Sequence, residues 1–374
     1  MRNEGASVSL ELVSNGAVAE VLEFNCTDLF DGRLLSTPLK LDTSLNVENF
    51  QLHFLAKKSV NENEILPVLD ASQKKARIGW CVPINALASD DHGRAEDPHF
   101  LKYAYVAIHR LFRADMEEFF TKSPDAQDMV DRTLQFSDLI HSDTCLLVVN
   151  LDAMPARSFD IDRYMPSLIA RGYVKLTHRT PDDLVWTVKS PEEAPRSLVV
   201  EPVSNELTDV ELIGSLLHNS VAYEAHPVFC FFYIYQVIEL LMEHVFMAEH
   251  AAILDEYRHS VNELSTAKEV MEKLNRVTSE KKRLTLLINE YSKSRSNLEN
   301  LKQSCNDFLL KEGRAGGGDF QSYFYGIRNH IFHQLRDLKE ENVEQLDLVV
   351  RDFVDFLPSL LSTYRTRQFV AAGA

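Results

Sequence analysis

Residues 190–205 contain Pro191, Pro195 and Pro202, and they divide two stretches of unlike periodicity. Proline fixes φ and removes a backbone donor, so neither a strand nor a helix runs easily through such a stretch. Before it, short apolar runs alternate with polar positions. After it, apolar residues recur every three or four positions with few interruptions. One regular architecture cannot serve both halves. The expected fold class is therefore α+β: a mixed, strand-rich domain over residues 1–190, a proline-containing linker over 191–205, and an all-helical domain over 206–374.

In the first half, Val8, Leu10 and Leu12 alternate with polar positions, and Asn15-Gly16 separates them from Val18 to Phe24. Asn-Gly between two apolar runs signals a hairpin, because a type I′ turn needs positive φ twice. Further strands are expected over residues 51–56, 65–69, 78–82 and 145–151. A helix over about residues 100–120 carries the apolar stripe Leu101, Ala104, Ile108 and Leu111. A short helix over 164–171 is stopped by Gly172. Two strand-like runs follow, 173–178 and 184–188. That order fits either an ordinary α+β hairpin or a winged-helix DNA binder. The ordinary hairpin is preferred, because no dense basic face accompanies it.

Composition narrows the function classes. The longest apolar patch, 227–241, is interrupted by Gln236 and Glu239, so no membrane span is expected. The first residues lack the apolar core of a signal peptide. The five cysteines (26, 81, 145, 230, 305) are odd in number and widely spaced, with no Cys-x-x-Cys. A disulfide framework is not expected, and a cytoplasmic location fits best. A net charge of −17 rules out a general nucleic-acid coat. Any RNA contact is confined to a local basic patch, and the candidate is Lys281, Lys282 and Arg283, followed by Lys293 and Arg295. Its plainer reading is a solvated helix face. Asp152, Asp160 and Asp162 suggest a metal cluster by composition alone, and His244, His250 and His259 lack ligand spacing. No Gly-x-Ser-x-Gly or His-Glu-x-x-His occurs. Neither metal nor cofactor is expected.

Helices are expected over 206–219, 226–263 (one helix or two in line), 265–276, 279–294, 296–312, 319–337 and 340–366. Asp319, after a glycine-rich break, is placed to cap the helix over 319–337. That helix sets Arg328-Asn329-His330-Ile331-Phe332-His333 within an apolar pattern of Phe320, Tyr323, Phe324, Ile327, Ile331, Phe332 and Leu335. Histidine moves protons near neutral pH and arginine holds a phosphate as its charge builds, so the two can cleave RNA without a metal. At roughly 100° per residue, Arg328 and His333 lie about 140° apart around the axis, whereas Asn329 and His333 share a face. Either Arg328 swings across, or a second copy on a two-fold axis completes the set. A composite site, with two motifs lining one cleft, is the expectation. The plainer alternative makes both residues structural.

The string Tyr325-Gly326-Ile327-Arg328-Asn329-His330-Ile331-Phe332-His333 resembles the HEPN superfamily motif: an arginine, a polar residue, a short spacer and a histidine. The upstream helix, with Phe231, Tyr233, Tyr235, Gln236, Glu239 and Leu240, is similar to the partner helix of such bundles. The resemblance covers about residues 206–366 and leaves 1–205 unassigned. It implies a helical bundle that pairs into a homodimer and, in many members, a metal-independent endoribonuclease of toxin or abortive-infection systems. His333 would then be the general acid/base at the 2′-hydroxyl. Arg328 would stabilise the phosphorane-like transition state, and Asn329 would orient the phosphate or the histidine. The product would be a 2′,3′-cyclic phosphate. Glu239 or Glu243 would fix the Arg328 rotamer, unless each is a plain surface carboxylate. Expected partners are an RNA substrate, a second copy and a defence-system protein, with residues 1–190 in a sensing or regulatory role. The alternative is a non-catalytic scaffold that presents Glu272, Lys273, Glu280, Lys281 and Lys282 to a partner.

Overall fold

The computed structural model describes residues 7–14, 17–25, 33–113, 134–177, 179–188, 195–259, 264–293, 297–314, 318–334 and 338–366. The chain forms two compact units, one of residues 1–161 and 171–200, the other of 162–170 and 201–374. The crossing at 200/201 falls in the proline-containing stretch. The excursion of 162–170 into the second unit has no counterpart in the sequence pattern.

In the first unit, β1 (Ser7–Ser14) and β2 (Ala17–Asn25) pair antiparallel, starting from Ser14 opposite Ala17, as the hairpin signal predicts. The Asn-Gly pair itself lies outside the described residues. A short β3 (Arg33–Leu35), not foreseen, adds parallel to β1. The second sheet holds β4 (Phe50–Ala56), β5 (Leu66–Asp70), β6 (Ala76–Pro83), β7 (Thr144–Asn150), β8 (Val174–Lys175) and β9 (Leu198–Val200), in the order β8-β4-β7-β6-β5-β9. β7 lies inside the sheet and is buried from Thr144 to Val149, which is why it reads as one apolar run. α1 (Pro98–Arg113) is capped by Asp97, whose Oδ1 accepts from the His99 backbone N–H at 2.9 Å. Phe100, Tyr103, Ala104 and Ile108 join Phe50, Trp80, Val82 and Val148 in the core. The expected extension of α1 beyond 113 lies outside the described residues. A short α2 (Phe136–Leu139) precedes β7. Gly79 is required where β6 meets β7, because a Cβ there would lie 2.1 Å from the Val148 carbonyl oxygen.

Two expectations fail here. Residues 184–188 form no strand. Leu184 and Trp186 are buried while Val185 and Thr187 are exposed, so the chain alternates like a strand but forms no ladder. Among the described residues 173–177, only Val174–Lys175 is a strand, and it pairs with β4; His178 lies outside the described residues. The hairpin needed for a winged helix is therefore not formed. Conversely, Leu198–Val200, assigned to the linker, is a strand paired parallel to β5 through buried Leu198 and Val200.

The second unit holds α3 (Met165–Ile169); α4 (Val210–Ser215), which runs on through a π-turn; α5 (Pro227–His259); α6 (Leu264–Thr278); α7 (Glu280–Leu286), which also ends in a π-turn; α8 (Leu298–Lys311); α9 (Phe320–Gln334); and α10 (Val343–Ser362). α5 is one unbroken helix. By length and composition it could cross a bilayer, yet 56% of that window is buried within the fold, as in a core helix that is apolar on most sides. Phe324 of α9 meets Phe353 of α10 edge-on at 4.8 Å and Phe231 of α5 at 5.6 Å. With Phe320, Ile327 and Ile331 also buried, these contacts fix the rotation of α9 about its axis.

Asp319 caps α9 as expected, with its Oδ1 accepting from the Ser322 backbone N–H at 2.9 Å. Hydrogen bonding, first from the Ser322 hydroxyl, holds the Asp319 carboxyl below its ordinary value of 3.8. Asp319→Ala is expected to cost about 1 kcal/mol at neutral pH. A depressed folded value means that this contribution is complete above the unfolded pKa and lost as pH falls through the folded one. Urea melts of wild type and variant should therefore converge on acidification. A gap that persists unchanged in strong acid would rule the cap out.

Candidate functional site

With the apolar face of α9 turned inward, Arg328 and Asn329 are left half-buried and His333 exposed. Arg328 crosses the separation that backbone geometry sets. Its Nη1 lies 3.0 Å from His333 Nε2 and donates to Asn329 Oδ1 at 3.1 Å. Nη1 carries two hydrogens, so both contacts can be made at once. Arginine only donates, so the contact is a hydrogen bond when His333 Nε2 is the acceptor, in the tautomer protonated at Nδ1. Of the two ways of completing the set, Arg328 takes the first and swings across, so one chain brings all three residues together. The rise along the axis is only about 7.5 Å over five residues, which a long side chain can follow.

The guanidinium is held from several sides. Nη2 lies 3.6 Å from Glu280 Oε1 on α7, and that same oxygen accepts from the Tyr235 hydroxyl of α5 at 2.8 Å. The guanidinium carbon is 5.2 Å from the ring centre of Phe332, 5.8 Å from Tyr235 and 5.9 Å from Tyr325, all within cation–π range. Burial, then the hydrogen bond to Glu280, push the Tyr235 phenol well above its ordinary value, so it stays a donor. The Nε–H of Arg328 is buried without a partner.

Glu239 sits beside this group. Its Oε2 accepts from Gln236 Nε2 at 3.0 Å. Burial, then the nearby charge of Glu280, raise its carboxyl, while Arg328 opposes the rise. The residue that meets Arg328 at ion-pair distance is nonetheless Glu280. Glu243, the other carboxylate proposed for that role, is exposed. Of the basic patch, Lys281, Lys282 and Lys293 are exposed, and Arg295 lies outside the described residues. Arg283 departs from the solvated-face expectation: it is half-buried with its guanidinium 5.7 Å from the Phe246 ring centre.

Other histidines have separate occupations. His330 Nε2 lies 3.0 Å from Glu312 Oε2, both side chains only 2% exposed. His244 Nε2 lies 2.7 Å from Asp209 Oδ2. Lys273, a candidate for an exposed partner surface, is spent on Glu256 at 2.6 Å. Among the described residues, no three His, Cys, Asp or Glu side chains are grouped to hold a metal. The cysteines at 81, 145, 230 and 305 are free and buried.

Sequence reasoning missed Glu280 as a site residue. The signal was weak, because it opens a Glu/Lys-rich helix whose facing side is set only by packing. Phe332 belongs to the apolar helix pattern in the sequence, and nothing there marks it as a neighbour of Arg328. Comparison with protein-family models, with curated proteins and with solved structures finds no match to this chain.

Proposed function

We propose that the second unit is a metal-independent endoribonuclease of the HEPN type, acting as a homodimer in the cytoplasm in anti-phage defence. The observation that carries the reading is the contact of Arg328 Nη1 with His333 Nε2 at 3.0 Å, beside Asn329, on an accessible side of α9. A proton acceptor and a fixed cation within one hydrogen bond of each other are what 2′-hydroxyl attack requires.

In this reading an incoming phosphate draws the Arg328 fork onto its oxygens and releases Nε2 as a base. Nε2 takes the 2′-hydroxyl proton as the O2′–P bond forms. The P–O5′ bond breaks, and the 5′-oxygen leaves with a proton returned by an imidazolium, for which a second copy on a two-fold axis supplies a well-placed source. The product ends are a 2′,3′-cyclic phosphate and a 5′-hydroxyl. Asn329 orients the guanidinium, and Glu280 with Tyr235 keeps it from straying. Lys281 and Lys282 lie on α7 with Glu280 and supply local positive charge for the strand. The first unit takes the sensing or regulatory role.

The test is cleavage of unstructured RNA by the full-length protein in EDTA. Wild type is expected to leave cyclic-phosphate ends, and His333→Ala to be slower by about 10²–10⁴-fold. Equal cleavage by wild type, His333→Ala and Arg328→Ala would sink the reading.

A further inference from the structure

Beside Arg328 lies an aromatic surface that the transesterification itself does not use. Phe232 of α5 is 41% exposed, a large apolar ring left in water. It stacks on Phe332 of α9 with centroids 5.3 Å apart and planes 26° from parallel. Phe332 immediately precedes His333 and is also the ring closest to the Arg328 guanidinium. Phe229, one turn before Phe232, is 51% exposed. The stack therefore opens to solvent on one side and adjoins the arginine–histidine pair on the other.

We propose that Phe232 and Phe332 form a stacking subsite for an unpaired nucleobase attached to the phosphate held at Arg328 and His333. The proposal rests on the ribonuclease reading and gives its substrate a shape. A base and its own phosphate are separated by one sugar, so a phosphate at Arg328 brings the attached base towards the Phe232 ring. A base inside a duplex has both faces covered and cannot stack there, whereas an unstacked one can. The Phe232–Phe332 platform offers ring faces and no hydrogen-bonding groups, while Gln236, one turn beyond Phe232, gives one amide hydrogen to Glu239. Discrimination thus follows stacking strength, which favours purines over uracil without specifying a sequence. Stacking also suits a chain of net charge −17: with few phosphate contacts, binding depends only weakly on salt.

The experiment measures binding of the full-length protein to a short 2′-O-methyl oligoadenylate, which cannot be cleaved. Phe232→Leu is expected to weaken it about tenfold, within the range for removing one aromatic platform. Phe232→Trp should retain binding. Wild type should bind oligouridylate less well than oligoadenylate, and the paired duplex poorly. Equal binding by wild type and Phe232→Leu, or of single strand and duplex, overturns the proposal. So does a loss of dimer in Phe232→Leu by sedimentation, which would assign the rings to a subunit contact. Cleavage of the unmodified strand separates the two readings. Phe232-dependent binding without cleavage removes the ribonuclease and leaves the subsite. His333-dependent cleavage with Phe232→Leu indistinguishable from wild type removes the subsite alone.

Discussion

Replacing Arg328 by lysine is expected to slow RNA cleavage by about 10²-fold, the scale of losing one preorganised donor to a developing oxyanion. Conserved charge does not protect the site, because the arginine acts as a fork. Nη1 serves Asn329 Oδ1 and His333 Nε2, Nη2 faces Glu280, and the plane lies among Phe332, Tyr235 and Tyr325. A lysine ammonium is a compact, strongly hydrated point charge on a shorter reach. It would settle against Glu280, which Tyr235 pins in place, and leave His333 without its neighbour and the phosphate without a bidentate clamp. The loss should appear in the single-turnover rate in EDTA, with thermal melting little changed, because Arg328 lies at the edge of the core. A lysine variant as fast as wild type would show that charge alone suffices, and the fork would have no catalytic part.

The helices of the second unit are legible because each needs only its own periodicity and its caps. The Asp319 cap is local chemistry, legible from its place between a glycine-rich break and an apolar helical run. The arginine–histidine contact was only half legible. Backbone angles place Arg328 and His333 apart, and it is side-chain reach, together with the aromatic bed beneath the guanidinium, that closes the distance. Glu280 was illegible as a partner, since helices distant in sequence choose their neighbours by packing. The sheet shows the same limit. Residues 184–188 have the alternation of a strand but form no ladder, whereas Leu198–Val200 pairs with β5 and sits among prolines. Alternation reports burial on one side, and a ladder needs a free edge as well.

The two histidines of the motif should separate cleanly under substitution. His333 is exposed, and His333→Ala is expected to slow cleavage by about 10²–10⁴-fold while leaving stability nearly unchanged. His330 is its opposite. Its Nε2 meets Glu312 Oε2 at 3.0 Å with both side chains 2% exposed, and Glu312 Oε1 accepts from Asn342 Nδ2 at 2.6 Å. One carboxylate at the end of α8 thereby ties α9 to the turn that leads into α10. The carboxylate is buried, so removing it takes the partner of the imidazole and leaves the Asn342 amide only its longer bond to the Lys311 carbonyl at 3.5 Å. Glu312→Leu is expected to cost about 2–3 kcal/mol, the scale of leaving buried hydrogen-bonding groups without their partner. For a unit of this size that is roughly 5–10 °C in Tm. Glu312→Gln keeps the volume and an acceptor for Asn342, and its amide can meet a neutral His330, so it should lose much less. Cleavage by Glu312→Gln should survive at temperatures where Glu312→Leu has already melted. If Glu312→Leu melts with wild type, the pair holds nothing together, and the placement of α9 rests on its aromatic face alone.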